Sequence, residues 1–184
     1  SHFIFGDACS AVLVEAAGFS KSENQFEMID VATKTLFSNN IRNNLGFLSK
    51  TESDVLEDSH NIFSKDRLFV QQGRRVFKDV VPLVTDMLSN HLRLNHINSA
   101  DIKRFWLHKA NANMNRLVLE KLLGHKEIGS DLAPVILDEY ANTSSPGCIL
   151  AFHQHQENFT TGDYGLLCSF GAGYSAGSVI VKKV

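Results

Sequence analysis

His108 stands where an apolar run, residues 103–107, gives way to a helical pattern opening near Asn111. Such β–α junctions are where α/β folds place ligands, at the carboxyl end of a strand and facing a helix N-terminus. The helix dipole disfavours imidazolium there, so His108 is expected to stay neutral and to donate one N–H to an oxygen. The same position also suits a capping or hydrogen-bonded core histidine. Asn142, in Tyr140-Ala141-Asn142-Thr143-Ser144-Ser145, follows a strand-like run and precedes a helix. Its topological position repeats that of His108 one β–α unit later, and parallel neighbours would bring both side chains to one sheet edge. A plain N-cap fits this spacing equally, since Asn, Thr and Ser are the preferred caps. Phe170-Gly171-Ala172-Gly173-Tyr174 lies between two strand-like runs. Glycine there lets backbone N–H groups approach a ligand. The segment opens no helix, so it is not a dinucleotide fingerprint, and a tight hairpin turn fits it as well.

Three cysteines, Cys9, Cys148 and Cys168, form no CxxC pair. That pattern argues against a disulfide framework or a cysteine zinc site, and for a reducing, cytoplasmic setting. Cys9, His108 and Asn142 follow the chain order of a papain-like cysteine hydrolase. Cys9 has no helix N-terminus beside it to lower its pKa, however, and reads as a small buried residue. Cys148 and Cys168 sit in apolar surroundings. His153 and His155 are two apart on a helical stretch and point to different faces, so no shared metal is expected. His60, His91, His96 and His125 have polar neighbours in sequence and read as surface residues.

The elements that must position these groups follow from periodicity. Residues 11–17 read as a strand buried on both faces, and residues 26–36 as a second strand. Residues 37–67 are polar and read as a surface excursion with a short helix near Ile41–Leu48. Gly73 opens a helix whose apolar positions run from Val76 to Leu92, with Pro82 inside it and expected to bend it. Residues 103–107 form a strand. Met114, Leu117, Val118 and Leu122 mark a second helix that Gly124 stops. Pro134–Leu137 reads as a strand, residues 145–157 as a helix with Pro146 in its first turn, and residues 164–181 as two strands around a glycine turn. The order β, β, α, β, α, β, α, β, β implies an α/β fold with a mixed, mostly parallel sheet flanked by helices.

The 184 residues carry 18 basic and 20 acidic side chains, for a net charge of -2. That balance argues against nucleic acid or an anionic membrane as partner. The uncharged stretch 164–181 holds too many glycines and serines for a membrane span, and no basic-apolar leader opens the chain. The abrupt apolar start at Phe3-Ile4-Phe5 suggests part of a longer polypeptide.

Four segments together resemble β-ketoacyl-acyl-carrier-protein synthase III. Phe5-Gly6-Asp7-Ala8-Cys9-Ser10-Ala11-Val12 is similar to the family's FGDGAGAV run, and Leu107-His108-Lys109-Ala110-Asn111 to its PHQAN motif. Ala141-Asn142-Thr143-Ser144-Ser145 is similar to its GNTSAA motif, and residues 169–177 to its closing FGGGFTWG run. Gln72-Gly73-Arg74-Arg75-Val76-Phe77 also resembles its GNEVF helix start. The chain departs from the pattern with Lys109 for Gln, Ala141 for Gly, Asn113 for a basic residue and Ala176 for Trp.

The resemblance covers the C-terminal half of such an enzyme. It implies that residues 1–184 are one thiolase-like half, and that the nucleophilic cysteine belongs to a missing N-terminal half. The implied reaction is a decarboxylating Claisen condensation of an acyl thioester with a malonyl thioester, in fatty-acid or specialised lipid and polyketide synthesis. By motif, His108 and Asn142 would donate to the malonyl thioester oxygen, and the Ala172 N–H would help form the oxyanion hole. Phe170 would position the pair, and Asn111 would tie the turn together. Gly73 and Phe77 would line the pantetheine channel. Arg74, Lys109 and Arg116 would meet the carrier protein or coenzyme A, or else be plain solvated charges. No cofactor or metal is implied beyond the phosphopantetheine of coenzyme A or acyl carrier protein as substrate carrier. The full enzyme would be a homodimer, and the half alone inactive. A non-catalytic thiolase-like module pairing with another chain is the alternative.

Overall fold

The structure, a computed structural model, describes residues 4–43, 69–125 and 127–184. The elements run β1 (Phe26–Ser38), β2 (Ile41–Asn43), β3 (Phe69–Gln71), α1 (Gly73–Leu94) and a 3-10 turn (Ser99–Asp101). They continue with β4 (Ile102–Leu107), α2 (Ala112–Leu123), α3 (Leu137–Tyr140), α4 (Pro146–Gln154), β5 (Tyr164–Gly171) and β6 (Gly173–Lys183).

One sheet has the order β1-β6-β5-β4. It is mixed, as its α/β pattern predicts, but β4–β5 is its one parallel pair among the described residues; β1–β6 and β5–β6 are antiparallel. The balance is antiparallel because the first strand joins the C-terminal hairpin rather than a crossover partner. β2 and β3 form a separate short antiparallel ladder.

Alternation along the strands feeds two cores. Phe105 and Leu107 of β4, Leu166 and Cys168 of β5 and Ile180 of β6 face α1 and α2. There they meet Val80, Val84, Leu88 and Leu92 of α1 and Val118 of α2, which recur at helical spacing. Trp106, Leu167 and Val181 point the other way, onto Ala151 of α4 and Ile136. Trp106 is fully buried, with Phe152 edge-on at 4.8 Å and Phe159 stacked at 5.4 Å. Burial of each large apolar side chain contributes about 1.5–3 kcal/mol.

Four expectations need correction. Ala11–Ala17 forms no strand. Val12, Leu13 and Val14 are 58%, 82% and 70% exposed. An apolar run supplies side chains for burial on two faces, but the covering layers and the hydrogen-bonding neighbour must come from elsewhere. Among the described residues none lies alongside it. Pro134–Leu137 forms no strand either. Pro134 lacks an N–H for a ladder, and Leu137–Tyr140 coils into the single turn α3. The helix expected near Ile41–Leu48 begins as strand β2, whose residues pair with β3. The remainder of that helix, and most of the polar excursion to residue 67, lie outside the described residues. His91 is not a surface residue. It is 1% exposed on the inner face of α1, with Nδ1 2.7 Å from Ser178 Oγ and Nε2 3.4 Å from Asp30 Oδ2. Burial lowers its pKa, against the pull of Asp30.

Candidate active site

β4 delivers His108 to the carboxyl edge of the parallel pair, where it is 7% exposed. Its backbone carbonyl accepts from Asn115 Nδ2 of α2 at 2.7 Å, which fixes the chain as it leaves the strand. Its ring meets the Phe170 ring edge-on, with centroids 4.9 Å apart, and Nδ1 lies 3.5 Å from Ser169 Oγ of β5. The Ser144 backbone also lies against the imidazole. Burial pushes the ring's pKa down to about 4, the nearby Lys109 charge adds to the shift, and the Ser144 contact opposes it. His108 is thus neutral near pH 7, as its position predicts, with desolvation as the first cause.

Asn142 is brought to the same place by Ser144. The Ser144 N–H donates to Asn142 Oδ1 at 3.0 Å, an Asx turn. Ser145, not Asn142, occupies the cap position of α4, so the plain N-cap reading does not hold. An oxygen must face the Ser144 N–H, and therefore the amide nitrogen of Asn142 points away from it and keeps its donors. The N-terminal segment runs alongside. Asn142 N–H donates to Ile4 O and Gly6 N–H to Asn142 O, both at 3.1 Å. Gly6 is required there, because a Cβ would lie 2.1 Å from the Tyr140 carbonyl oxygen.

Lys109 departs from expectation. It is 2% exposed, and neither a solvated charge nor a surface contact for a carrier protein. The turn after β4 aims it beneath the first turn of α4. Its Cβ and Cγ sit 3.1 Å from the point a Cβ on Gly147 would occupy, and its amine donates to the Pro134 carbonyl. Burial brings its pKa down to about 8, partly offset by the Cys148 thiol.

The other expected residues divide. Phe170 joins the histidine. Asn111 caps α2, its Oδ1 accepting from Met114 N–H at 3.1 Å. Ala172 is exposed at the tip of the β5–β6 hairpin. Gly73 borders a cleft of about 350 Å³ that Ile4, Phe69 and Gln71 also line, whereas Phe77 packs inward on the core. Arg74 is exposed, and Arg116 is exposed and 3.7 Å from Glu120. Cys9 is exposed rather than buried, because its segment is uncovered. Among the described residues it shares no hydrogen bond with His108 or Asn142. Cys148 and Cys168 are buried, and burial raises both thiol pKa values. Ser144, Ser169, Gly6 and Asn115 hold the site together without having been singled out by residue type. The first three lie inside the quoted motifs, which was the available signal; Asn115 offered none.

The family model described as 3-oxoacyl-[acyl-carrier-protein] synthase III C terminal matches residues 92–183. The chain belongs to this synthase III family. It is 54% identical over 183 residues to a β-ketodecanoyl-[acyl-carrier-protein] synthase of Pseudomonas aeruginosa, covering 100% of this chain and 50% of that protein. It is 26% identical over 184 residues to a β-ketoacyl-[acyl-carrier-protein] synthase III of Chlorobium phaeobacteroides, covering 97% and 52%. The chain spans about half the length of these relatives. The crystal structure of 3-oxoacyl-[acyl-carrier-protein] synthase III from Aquifex aeolicus matches with a TM-score of 0.67 at 18% identity, over 89% of this chain and 46% of that one. A priming β-ketosynthase of the R1128 polyketide pathway matches at 0.65 and 20% identity, over 83% and 44%. These likenesses carry the thiolase-like synthase III fold.

Proposed function

We propose that the chain is the C-terminal half of a synthase III-type acyltransferase that joins an acyl thioester to a malonyl thioester by decarboxylative Claisen condensation. One observation carries the reading: a buried, neutral His108 and the Asn142 amide meet at Ser144, whose N–H takes the amide oxygen and leaves the nitrogen as a donor. Two neutral N–H donors converging on a β–α edge suit an oxygen that gains negative charge during reaction.

The C–CO2 bond of the malonyl group breaks, and its electron pair becomes the enolate of the remaining thioester. His108 and Asn142 donate to the enolate oxygen, and these bonds strengthen as charge develops, which lowers the barrier. Neutral histidine is the suitable form, because it gives a hydrogen bond without giving up its proton. The enolate carbon then attacks the acyl carbonyl held on a cysteine of the N-terminal half. Electrons move onto the acyl oxygen, which the Ala172 N–H helps to hold, and collapse expels the thiolate.

In this reading the cysteine-bearing half and a homodimer complete the enzyme, in the cytoplasm. The exposed run Val12-Leu13-Val14 is a surface that the other half would cover. Coenzyme A or acyl-carrier-protein phosphopantetheine brings the substrates along the cleft at Gly73, and Arg74 and Arg116 are placed to meet an acidic carrier. A β-ketodecanoyl product fits the name of the Pseudomonas aeruginosa relative. The test is condensation of acyl-coenzyme A with a malonyl thioester by the polypeptide that joins this chain to its cysteine-bearing half. Activity lost in His108→Ala supports the reading. Activity indifferent to His108 overturns it.

A further inference from the structure

One carboxylate joins three elements beside the hairpin tip. Asp79 Oδ2 of α1 accepts from the Tyr174 hydroxyl at 3.1 Å and from Asn40 Nδ2 at 3.2 Å. Asn40 lies in the turn between β1 and β2, and Tyr174 is the second residue of β6. The other flank of the tip is held by β1. Ser38 pairs with Gly173 and Thr35 with Ser175, whose hydroxyls lie 3.3 Å apart. Ala172 directly precedes both anchorages in the chain.

Both partners run against local preference. Asp79 lies mid-helix, where a short acidic side chain is a poor helix former. Tyr174 is 1% exposed, and a buried phenol costs stability unless its hydroxyl finds a partner. An apolar ring would fill the same core position without one. The pair therefore fixes geometry rather than merely filling space, and the geometry it fixes is the height of the hairpin tip above α1.

We propose that Asp79 is a positioning residue which, through Tyr174, sets the Ala172 backbone N–H where the acyl-thioester oxygen becomes an oxyanion. The inference rests on the condensation reading above, and it divides that chemistry in two. The donors to the malonyl oxygen, His108 and Asn142, are held by Ser144, Asn115 and Phe170, and none of these holds Asp79. Loosening the tip therefore weakens acyl transfer and leaves malonyl decarboxylation intact.

The experiment uses the intact enzyme with Tyr174→Phe, Asp79→Ala, Asp79→Asn and the double variant Asp79→Ala/Tyr174→Phe. Condensation is measured beside CO2 release from malonyl thioester without acyl donor. Amide hydrogen exchange is followed at residues 171–174. In Tyr174→Phe and Asp79→Ala the condensation kcat falls about 10- to 100-fold, the range expected for a misplaced oxyanion donor. KM for the malonyl thioester and CO2 release change less than about 2-fold. Asp79→Asn, which keeps an acceptor oxygen, recovers part of the loss. The double variant is no worse than the poorer single one, and exchange at the tip quickens in each impaired variant. Equal losses in condensation and CO2 release, additive losses, or unchanged exchange at the tip each overturn the proposal. A wild-type enzyme that does not condense overturns the functional reading itself and with it the catalytic role of this link; the exchange result still reports separately whether the link anchors the tip.

Discussion

Ser144 decides which end of the Asn142 amide meets a ligand. Its N–H takes the amide oxygen at 3.0 Å and leaves the nitrogen free to donate. Asn142→Asp therefore separates two roles that Asn142→Ala removes together. The aspartate keeps an oxygen for Ser144 and so keeps the turn, but it turns a second oxygen where a donor is needed. Condensation by the intact enzyme should fall about 10²- to 10³-fold in kcat, the usual loss for one such donor. A loss under about 3-fold with the turn preserved would remove Asn142 from the oxyanion machinery.

His108 makes folding sensitive to acid. Its folded pKa is about 4 against an ordinary 6.5, so between those values the unfolded chain binds more protons. Stability from this group is complete above pH 6.5 and is lost as pH falls towards 4, by about 3 kcal/mol in all. Urea unfolding at pH 7, 6, 5 and 4 should show this slope, and His108→Gln should flatten it. A slope unchanged in His108→Gln would mean the titration belongs elsewhere.

Lys109 acts in the alkaline range with the same sign. Its folded pKa is about 8 against an ordinary 10.5, so the unfolded chain holds the extra proton between those values. Stability should rise by about 3 kcal/mol as pH climbs from 8 to 10.5. Lys109→Met removes that rise, and near pH 7 it should be no less stable than the parent if packing is kept, because a buried charge is then gone. The control is the difference between parent and variant in unfolding midpoint at pH 7, 9 and 10.

Gly6 predicts a structural coupling. A methyl group there would lie 2.1 Å from the Tyr140 carbonyl oxygen, so Gly6→Ala must push the N-terminal segment away from Asn142. Overpacking of this kind costs about 1–3 kcal/mol. The two backbone hydrogen bonds between residues 4–6 and Asn142 should open first, seen as faster amide exchange at Gly6 and Asn142. Unaltered exchange at those amides would show that the segment does not brace the site.

Much of this arrangement was legible in the residues, and the exceptions share a cause. The helix from Gly73, the strand ending at Leu107, the stop at Gly124 and the final hairpin follow from spacing that belongs to one element alone. What spacing cannot carry is the neighbour. Ala11–Ala17 shows a demand for burial but not what meets it. His91 looked polar beside Asn90, although Val84, Leu88 and His91 share the inner face of α1, and that periodicity was the better guide. Lys109 gave no sign of burial because its cover comes from Gly147 and Pro134, far along the chain. In the same way the motif residues His108 and Asn142 were visible, while the joint between them, Ser144, is a matter of backbone direction that residue type does not announce.

The three thiols differ in access, with Cys9 exposed and Cys148 and Cys168 buried. Cys9 also lies in the uncovered stretch that leads from Gly6 to the bare side chains of Val12, Leu13 and Val14. A maleimide fluorophore would therefore attach at one site without mutagenesis, on the surface that another half should shield. Its emission would serve as a built-in gauge of assembly: quenched or shifted when that surface is covered, and solvent-like when it is not.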